Sequence, residues 1–155
     1  MNEVYTVSQA KQKMEYFCSY QERCHNEVNS KLFTYKLLES ERNEVIVHLI
    51  ENDFLNETRF ACAFARGKQR IKHWGRVRIV NELKFRGISA FNIKTALKEF
   101  TEAQYQEAFH NLAERNWESI RETNVNKKRK KFCDFMLRKG YESNLVYEKL
   151  KELQV

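Results

Sequence analysis

The chain contains three segments that align with one another at a spacing of about fifty residues. Five positions of the first segment match the second after a shift of 51 residues and the third after a further 53. They are Val28, Leu32, Lys36, Ile46 and Leu49, then Ile79, Leu83, Gly87, Leu97 and Phe100, and finally Phe132, Met136, Gly140, Leu150 and Leu153. Because four of the five positions are apolar in every copy, the repeat predicts an array of small supersecondary units that bury their apolar faces against one another. Such an array favours an extended binding surface over a catalytic pocket.

Composition favours a helical fold. Among 155 residues, 42% are hydrophobic and 32% are charged, with no proline and only four glycines. These numbers leave few chain-breaking residues for tight turns and no low-complexity tract. Apolar residues recur at spacings of three and four, without the alternation that is typical of strands. The sequence therefore predicts helices throughout and enough apolar material for a core.

The first segment predicts three helices. Thr6 and Gln9 form a capping-box pattern that opens the first, and the next two should span about residues 25–36 and 40–52. The residues expected to face inward are Ala10, Met14, Phe17, Tyr20, Val28, Leu32, Ile46, Leu49 and Ile50.

The middle and last segments repeat this plan. A helix over about residues 56–73 is followed by a break at Gly75, and Gly87 ends the next helix before Ser89 caps the third. In the last segment, Thr101 opens a helix and Gly140 separates the two that follow. The inward residues should be Phe60, Ala61, Phe64, Val77, Ile79, Val80, Leu83, Ile93, Leu97 and Phe100, then Tyr105, Phe109, Leu112, Phe132, Met136, Val146, Leu150 and Leu153.

We therefore predict an all-α fold in which three tandem three-helix repeats stack into an elongated, curved array. The repeats are assigned to residues 1–54, 55–100 and 101–155. A compact globule of this length has a radius of gyration near 15 Å, so an elongated array should exceed it.

Charge is distributed in alternating zones. The net charge of +7 divides into −4 over residues 1–58, +8 over 59–86, −2 over 87–126 and +5 over 127–155. A basic zone that dense repels itself, so it favours contact with phosphates or with an acidic protein surface. The candidate binding residues are Arg66, Lys68, Arg70, Lys72, Arg76, Arg78, Lys84 and Arg86 in the first basic zone, and Lys127, Lys128, Arg129, Lys130, Lys131, Arg138 and Lys139 in the second.

Catalytic and metal chemistry find little support. Glu82 and Asp134 are isolated carboxylates within basic zones, and the spacing of Glu82 from Arg78 and Arg86 indicates pairing along a helix. Cysteine and histidine residues are scattered, which predicts free thiols and no zinc site. We expect neither an enzyme nor a cofactor. Since no apolar run could cross a bilayer and residues 1–10 lack the pattern of a signal peptide, we expect a cytoplasmic protein.

Two stretches carry a family resemblance. The segment NDFLNETRFACAFARGKQRIKHWGRVRIVNELKFRGIS resembles the signature region of the bacterial RecX family, and KKRKKFCDFMLRKGYESNLVYEKL is similar to the family's third repeat. The matching residues are Asn56, Arg59, Phe60, Ala61, Gly75, Arg78, Ile79, Glu82, Leu83, Arg86, Gly87 and Ile88, and then Arg138, Lys139, Gly140 and Tyr141. The first segment departs from the pattern, with Lys36 in place of glycine and Arg42 where Ile93 and Val146 stand in the others.

The resemblance implies a negative regulator of RecA recombinase with roles in homologous recombination, DNA repair and the SOS response. Such a protein lies in the groove of the RecA filament on single-stranded DNA, bridges protomers and limits filament extension, ATP hydrolysis, strand exchange and co-protease activity. The expected partners are the RecA filament and single-stranded DNA, the latter bound weakly and without sequence preference. We expect the protein to be a monomer and to have no membrane partner.

An alternative stays open, since a three-helix unit could also be a helix-turn-helix module with the basic helix from Arg76 to Arg86 in a major groove. In that case Trp74, Phe85, Trp117 or Tyr141 could stack on bases.

Overall fold

The computed structural model describes residues 4–154, and within that range the chain forms nine α-helices in three consecutive units. The first unit consists of α1 (Val7–Tyr20), α2 (His25–Phe33) and α3 (Glu39–Glu51). The second consists of α4 (Glu57–Ile71), α5 (Arg76–Phe85) and α6 (Ala90–Ala96), which a 3-10 turn over Leu97–Glu99 extends. The third consists of α7 (Glu102–Ser119), α8 (Val125–Lys139) and α9 (Ser143–Leu153). No strand occurs among the described residues, so the prediction of an all-α fold is confirmed.

Helix starts follow the predicted caps. The hydroxyl of Thr6 accepts from the Gln9 amide at 3.1 Å, while the Gln9 side chain accepts from the Thr6 amide at 2.9 Å. Thr101 and Gln104 form the same reciprocal pair at the start of α7, and Ser89 caps α6. Each cap satisfies amide groups that the first helical turn leaves without partners.

The backbone conformation is also repeated at the point where the second helix of each unit ends. Lys36, Gly87 and Gly140 occupy equivalent positions and have φ angles of 56°, 77° and 100°, all in the left-handed region. Helix α2 was predicted to reach residue 36 but ends at Phe33, because the chain turns into that left-handed conformation. A lysine therefore adopts in the first unit the geometry that glycine provides in the other two.

Each unit has its own core. The repeat positions that are fully buried in all three units are Val28, Ile79 and Phe132, and Leu32, Leu83 and Met136. Two residues join neighbouring cores: Cys24, from the first unit, packs within the second core, and Phe100 contacts both the second and the third. The division into residues 1–54, 55–100 and 101–155 stays a prediction, since these shared residues lie near its boundaries.

Three residues predicted to face inward are instead exposed, namely Tyr20, Ile50 and Val77. On α1 the buried stripe runs through Ala10, Met14 and Cys18 at intervals of four, which turns Tyr20 toward solvent. The sequence window contained two overlapping apolar stripes, and packing against α3 selected one of them.

The units are arranged in series. Extensive helix packing occurs within units, as between α1 and α3 or α4 and α6, and no such packing joins helices of different units in the described part of the chain. The accessible surface of 9780 Å² exceeds the roughly 8,300 Å² expected for a compact protein of 18.7 kDa. Three small cores in sequence leave more surface exposed than one shared core would. The curvature of the array stays a prediction.

Candidate binding surface

The second and third units meet through their backbones at two glycines. The Gly75 amide donates to the Lys139 carbonyl at 2.8 Å, and the Val77 amide donates to the Gly140 carbonyl at 2.9 Å. A Cβ atom on Gly75 would lie 2.3 Å from the Gly140 oxygen, and one on Gly140 would lie 2.6 Å from the Arg78 nitrogen. Only glycine permits this approach, which fixes the start of α5 against the end of α8. We call this contact the seam.

Arg76 ties the seam together. Its guanidinium donates to Glu142 at 2.9 Å, also pairs with Glu102, and lies 3.8 Å from the centroid of the Tyr105 ring. The Tyr105 hydroxyl accepts from the Arg76 amide at 2.9 Å and donates to Glu142. Burial and the neighbouring Glu142 carboxylate raise the pKa of Tyr105, so the hydroxyl stays protonated and can donate. Arg76 is therefore already neutralised inside the molecule.

Four other cationic residues lie at the seam: Lys72 and Arg78 from the second unit, and Arg138 and Lys139 from the third. The Lys139 ammonium donates to the Lys72 carbonyl at 2.9 Å, and Arg78 donates to the Arg138 carbonyl at 3.2 Å. None of these four side chains takes part in a salt bridge within residues 4–154. Burial, and to a smaller extent the charges of Arg78 and Lys72, lowers the pKa of Lys139. We call these four residues the seam cluster.

Five of the seven cations of the second predicted zone lie at the other end of α8. Lys127, Lys128, Arg129, Lys130 and Lys131 occupy the first two turns of that helix, about 12–18 Å along its axis from Lys139. Cations at a helix N-terminus oppose the helix dipole, and no acidic residue in that first turn compensates them. We call these five residues the α8 cluster.

Members of the α8 cluster differ in their partners. Lys130 pairs with Asp134 at 2.7 Å, and Lys131 pairs with Glu122 at 3.2 Å. Lys128 lies 4.2 Å from the Trp117 ring. Lys127 and Arg129 are exposed and form no salt bridge within the described residues, so they are the most available to an external anion.

The remaining predicted cations also divide into those with a partner inside the protein and those without a salt bridge. Arg66 pairs with Glu99, and Arg86 pairs with Glu82 at 2.8 Å as its helical spacing predicted. Lys68 lies 4.9 Å from the centroid of the Trp74 ring, and Arg78 is a second cation over that ring at 4.0 Å. The two left over, Arg70 and Lys84, are exposed without a salt bridge in the described part of the chain.

The aromatic residues considered for base stacking are mostly engaged. Tyr141 is buried and donates its hydroxyl to the His73 carbonyl at 2.9 Å. Trp117 packs edge to face against Phe132, and Trp74 lies in the second core. Phe85, by contrast, is 85% exposed.

Sequence reasoning missed the residues that join the units. Arg59 links the first and second units by donating to Glu22 at 2.6 Å and to the Asp53 carbonyl at 2.9 Å. Glu102 and Glu142 do the same for the second and third through Arg76. No local spacing reveals the pairs of Arg59 with Glu22 and of Arg76 with Glu102 and Glu142, because their members are 26 to 66 residues apart in the chain.

The described residues contain no group of three or more histidine, cysteine or acidic side chains able to hold a metal ion. Cys18, Cys24, Cys62 and Cys133 are free thiols, as predicted. Within residues 4–154 we find no helix with the length and apolarity that crossing a bilayer requires.

Fold and surface together define a tandem three-helix repeat protein with one cationic cluster at the junction of its second and third units and another on the third unit. Comparison with known families makes this specific. The family model for the second three-helix domain of RecX matches residues 56–97, and that for the third three-helix domain matches residues 102–150. These matches cover more than half of the chain, which therefore belongs to the RecX family, as the sequence motifs indicated.

Relatives agree with this assignment. The regulatory protein RecX of Bacillus cytotoxicus is 27% identical over 139 residues, which are 89% of this chain and 51% of that protein. The regulatory protein RecX of Clostridium acetobutylicum is 28% identical and is matched over 98% of this chain and 70% of its own length. The chain thus spans about half the length of the Bacillus relatives that it matches.

Solved structures agree as well. The crystal structure of RecX from Lactobacillus salivarius is similar with a TM-score of 0.79 and 25% identity, over 96% of both chains. A second crystal structure, of regulatory protein RecX, has a TM-score of 0.82 at 23% identity over 94% of this chain and 73% of the other, and supports the fold.

Proposed function

We propose that this protein is a negative regulator of RecA recombinase that acts on the filament of RecA on single-stranded DNA. It lies in the groove of the filament, bridges neighbouring protomers and limits filament extension, ATP hydrolysis, strand exchange and co-protease activity. Membership in the RecX family supports the regulatory part of this proposal. The cytoplasm is the compartment in which it would meet that filament.

The observation that carries the proposal is the seam cluster. Four cationic residues from two units lie at the seam and form no salt bridge within residues 4–154, so this part of the surface carries a positive charge that an external anion could neutralise. Structural charges would instead be paired, as Arg76 is with Glu102 and Glu142. A polymer of RecA and DNA offers both phosphates and acidic side chains.

Bridging follows from the serial arrangement. The seam fixes the second and third units relative to each other, and so holds the seam cluster and the α8 cluster about 10–18 Å apart along α8. Two anchored contacts on one polymer raise the effective concentration of each for its site. A regulator built in this way gains affinity for a filament over a free protomer.

The alternative, a helix-turn-helix module, fits the seam less well. A recognition helix contacts base edges with its N-terminal residues. The first residues of α5 are instead occupied, because Gly75 lies against Gly140 and Arg76 is held by Glu102 and Glu142. Duplex reading through α5 would require the seam to open.

ATP hydrolysis by RecA on single-stranded DNA, measured with and without this protein, tests the proposal. We expect the protein to reduce the rate of hydrolysis at concentrations near or below that of RecA. An unchanged rate with the protein in molar excess would contradict the proposal. Binding to one duplex sequence in preference to others at physiological salt would favour the alternative.

A charge-reversal variant tests the seam cluster. We expect Lys72→Glu with Arg138→Glu to raise the concentration for half-inhibition at least about tenfold, since two favourable contacts become repulsive. Arg76 is left unchanged because it stabilises the seam. Lys94→Glu with Lys98→Glu is the matched control, with the same change in net charge at exposed lysines elsewhere. Equal inhibition by the two variants would remove the seam cluster from the interface.

A further inference from the structure

The first unit contains a groove that none of the fifteen predicted binding residues lines. Helices α1 and α2 both pack against α3, but they lack comparable packing against each other. The space between them is an open groove with a volume of about 510 Å³. That volume lies within the about 300–1,000 Å³ typical of ligand sites.

Aromatic rings form one wall of this groove. Tyr16, Phe17 and Tyr20 come from α1, where Tyr16 and Tyr20 are separated by one helical turn and so lie on the same face. Tyr16 is 74% exposed and Tyr20 is 73% exposed, while the core-facing stripe of α1 runs through other residues. Two large aromatic side chains are therefore presented to solvent side by side.

Cations complete the groove. Lys13, Arg23 and Lys31 line it, and none of the lining residues is acidic in the described part of the chain. Arg23 lies 3.8 Å from the Phe17 ring and pairs with Glu27 at 3.5 Å, whereas Lys13 and Lys31 have no salt bridge within residues 4–154. Residues 1–58 carry a net charge of −4, so this local positive charge runs against the charge of its own unit.

We propose that this groove binds the unpaired bases of single-stranded DNA. Exposed aromatic rings provide stacking platforms for any base, and neighbouring lysines neutralise the phosphates between them. A groove for an apolar helix would be lined mainly by aliphatic side chains, whereas this one offers tyrosines and lysines. The inference goes beyond the proposed function, because it assigns a base-binding role to the first unit, which lies outside the segments that the family models match.

Fluorescence anisotropy of a labelled oligothymidylate with the intact protein, without RecA, tests the inference. We expect Tyr16→Ala with Tyr20→Ala to weaken binding at least about tenfold, since the stacking surface for each base is removed. Tyr16→Phe with Tyr20→Phe keeps both π-faces and should bind as the unchanged protein does. Tyr147→Ala, at a half-exposed tyrosine on α9, is the matched control and should have no effect.

The ligand can be varied as well. An abasic oligonucleotide of the same length should bind the unchanged protein as weakly as the double alanine variant binds oligothymidylate. Replacement of Lys13 and Lys31 by glutamine should make the negative slope of log K against log salt shallower, by about 0.7 for each phosphate that is no longer neutralised. Circular dichroism verifies that each variant is folded, as expected for substitutions at exposed positions.

Equal binding of the abasic and thymidylate ligands would overturn the inference, as would unchanged affinity of the folded alanine variant. If the double alanine variant lost affinity for an acidic peptide but bound oligothymidylate unchanged, the groove would be assigned to a protein partner. That result would also overturn the inference. ATP hydrolysis by RecA is measured in parallel with the same variants. A variant that loses base binding but still inhibits RecA would support the groove as a base-binding site and leave the proposed function standing. If the unchanged protein bound bases through the groove but did not inhibit RecA, the proposed function would fail and the inference would stand.

Discussion

At the scale of single residues, the three equivalent left-handed positions of the repeat differ in how well their side chains suit that conformation. Lys36 has a φ of 56°, a conformation that costs a residue with a Cβ roughly 1–2 kcal/mol and costs glycine almost nothing. We expect Lys36→Gly to raise the free energy of unfolding by about 0.5–1 kcal/mol, because the extra freedom of glycine in the unfolded chain offsets part of the gain. Urea denaturation measures the change.

Gly87 provides the opposite substitution as a control. A Cβ there would meet only the Asn26 side chain, at an ordinary contact distance of 3.6 Å, so Gly87→Ala isolates the backbone strain. We expect it to lower the free energy of unfolding by about 1 kcal/mol. If both substitutions changed stability in the same direction, left-handed strain would not be the main cause of the change at these positions.

The buried thiol on α1 predicts a dependence of stability on alkaline pH. Burial raises the pKa of Cys18 from its ordinary value of 9.0 to about 11 in the folded protein. Because the folded pKa is raised, the stability that the protonated thiol contributes is complete below pH 9 and is lost as the pH rises through about 11.

Unfolding free energies measured from about pH 8 to about pH 11 should therefore fall more steeply in the unchanged protein than in Cys18→Ala. Other groups that titrate in this range are common to both proteins and cancel in the comparison. Parallel curves for the two proteins would mean that Cys18 ionises as readily when folded as when unfolded.

The residue scale also shows what the repeat could predict. Alignment of Lys36 with Gly87 and Gly140 identified equivalent backbone positions, and the structure gives all three a positive φ. It could not indicate which cations are neutralised, because Arg76 meets Glu142 only after the units dock. Local spacing did predict the pair of Glu82 with Arg86, because these two residues are one helical turn apart.

At the scale of elements, the contact of α5 with α8 depends on two glycines. A Cβ on Gly75 would overlap the Gly140 carbonyl, so Gly75→Ala must separate the helix ends and lengthen the two backbone hydrogen bonds across the seam. We expect a loss of about 1–3 kcal/mol in the free energy of unfolding, together with weaker inhibition of RecA. Thermal unfolding and ATP hydrolysis by RecA measure the two effects.

Gly67 is the matched control for this substitution. It lies within α4, and apart from its chain neighbours and the backbone of its own helix no atom lies within 4 Å of the position its Cβ would take. Gly67→Ala should stabilise the protein by about 0.5–1 kcal/mol through helix propensity. Similar losses from both substitutions would mean that close packing at the seam is not the cause.

Helix boundaries show why elements were predicted well in some places and less well in others. Starts at Thr6, Ser89 and Thr101 depend on side chains within three residues of the cap, so the sequence contained the information. The end of α2 depends on a left-handed Lys36, a residue type that gives no local signal of a helix end. The orientation of Tyr20 depends on packing against α3 and on nothing within α1 itself.

At the scale of the whole molecule, shape follows from three cores in series. The accessible surface already exceeds that of a compact protein of the same mass. We expect small-angle X-ray scattering to give a radius of gyration clearly above the roughly 15 Å of a compact chain of this length. A value at or below that figure would indicate that the units fold back on one another in solution.

The two cationic clusters give the last prediction, which concerns how a serial molecule binds a polymer. Lys127 and Arg129 are exposed without salt-bridge partners in the described residues, as are the seam residues Lys72 and Arg138. If both clusters contact one filament, reversal of either pair to glutamate removes one of two linked contacts. We expect each pair to raise the concentration for half-inhibition of RecA about tenfold or more, and the combined variant to multiply the two effects.

Multiplication is the informative result, because the clusters lie about 10–18 Å apart along α8 and share no salt-bridge partner, so their free-energy contributions should add. An effect of the seam pair alone would mean that the α8 cluster faces solvent in the complex. A combined effect no larger than either single one would mean that disruption of one cluster already releases the whole molecule. Only independent contributions match a rigid array that contacts the filament at two separate points.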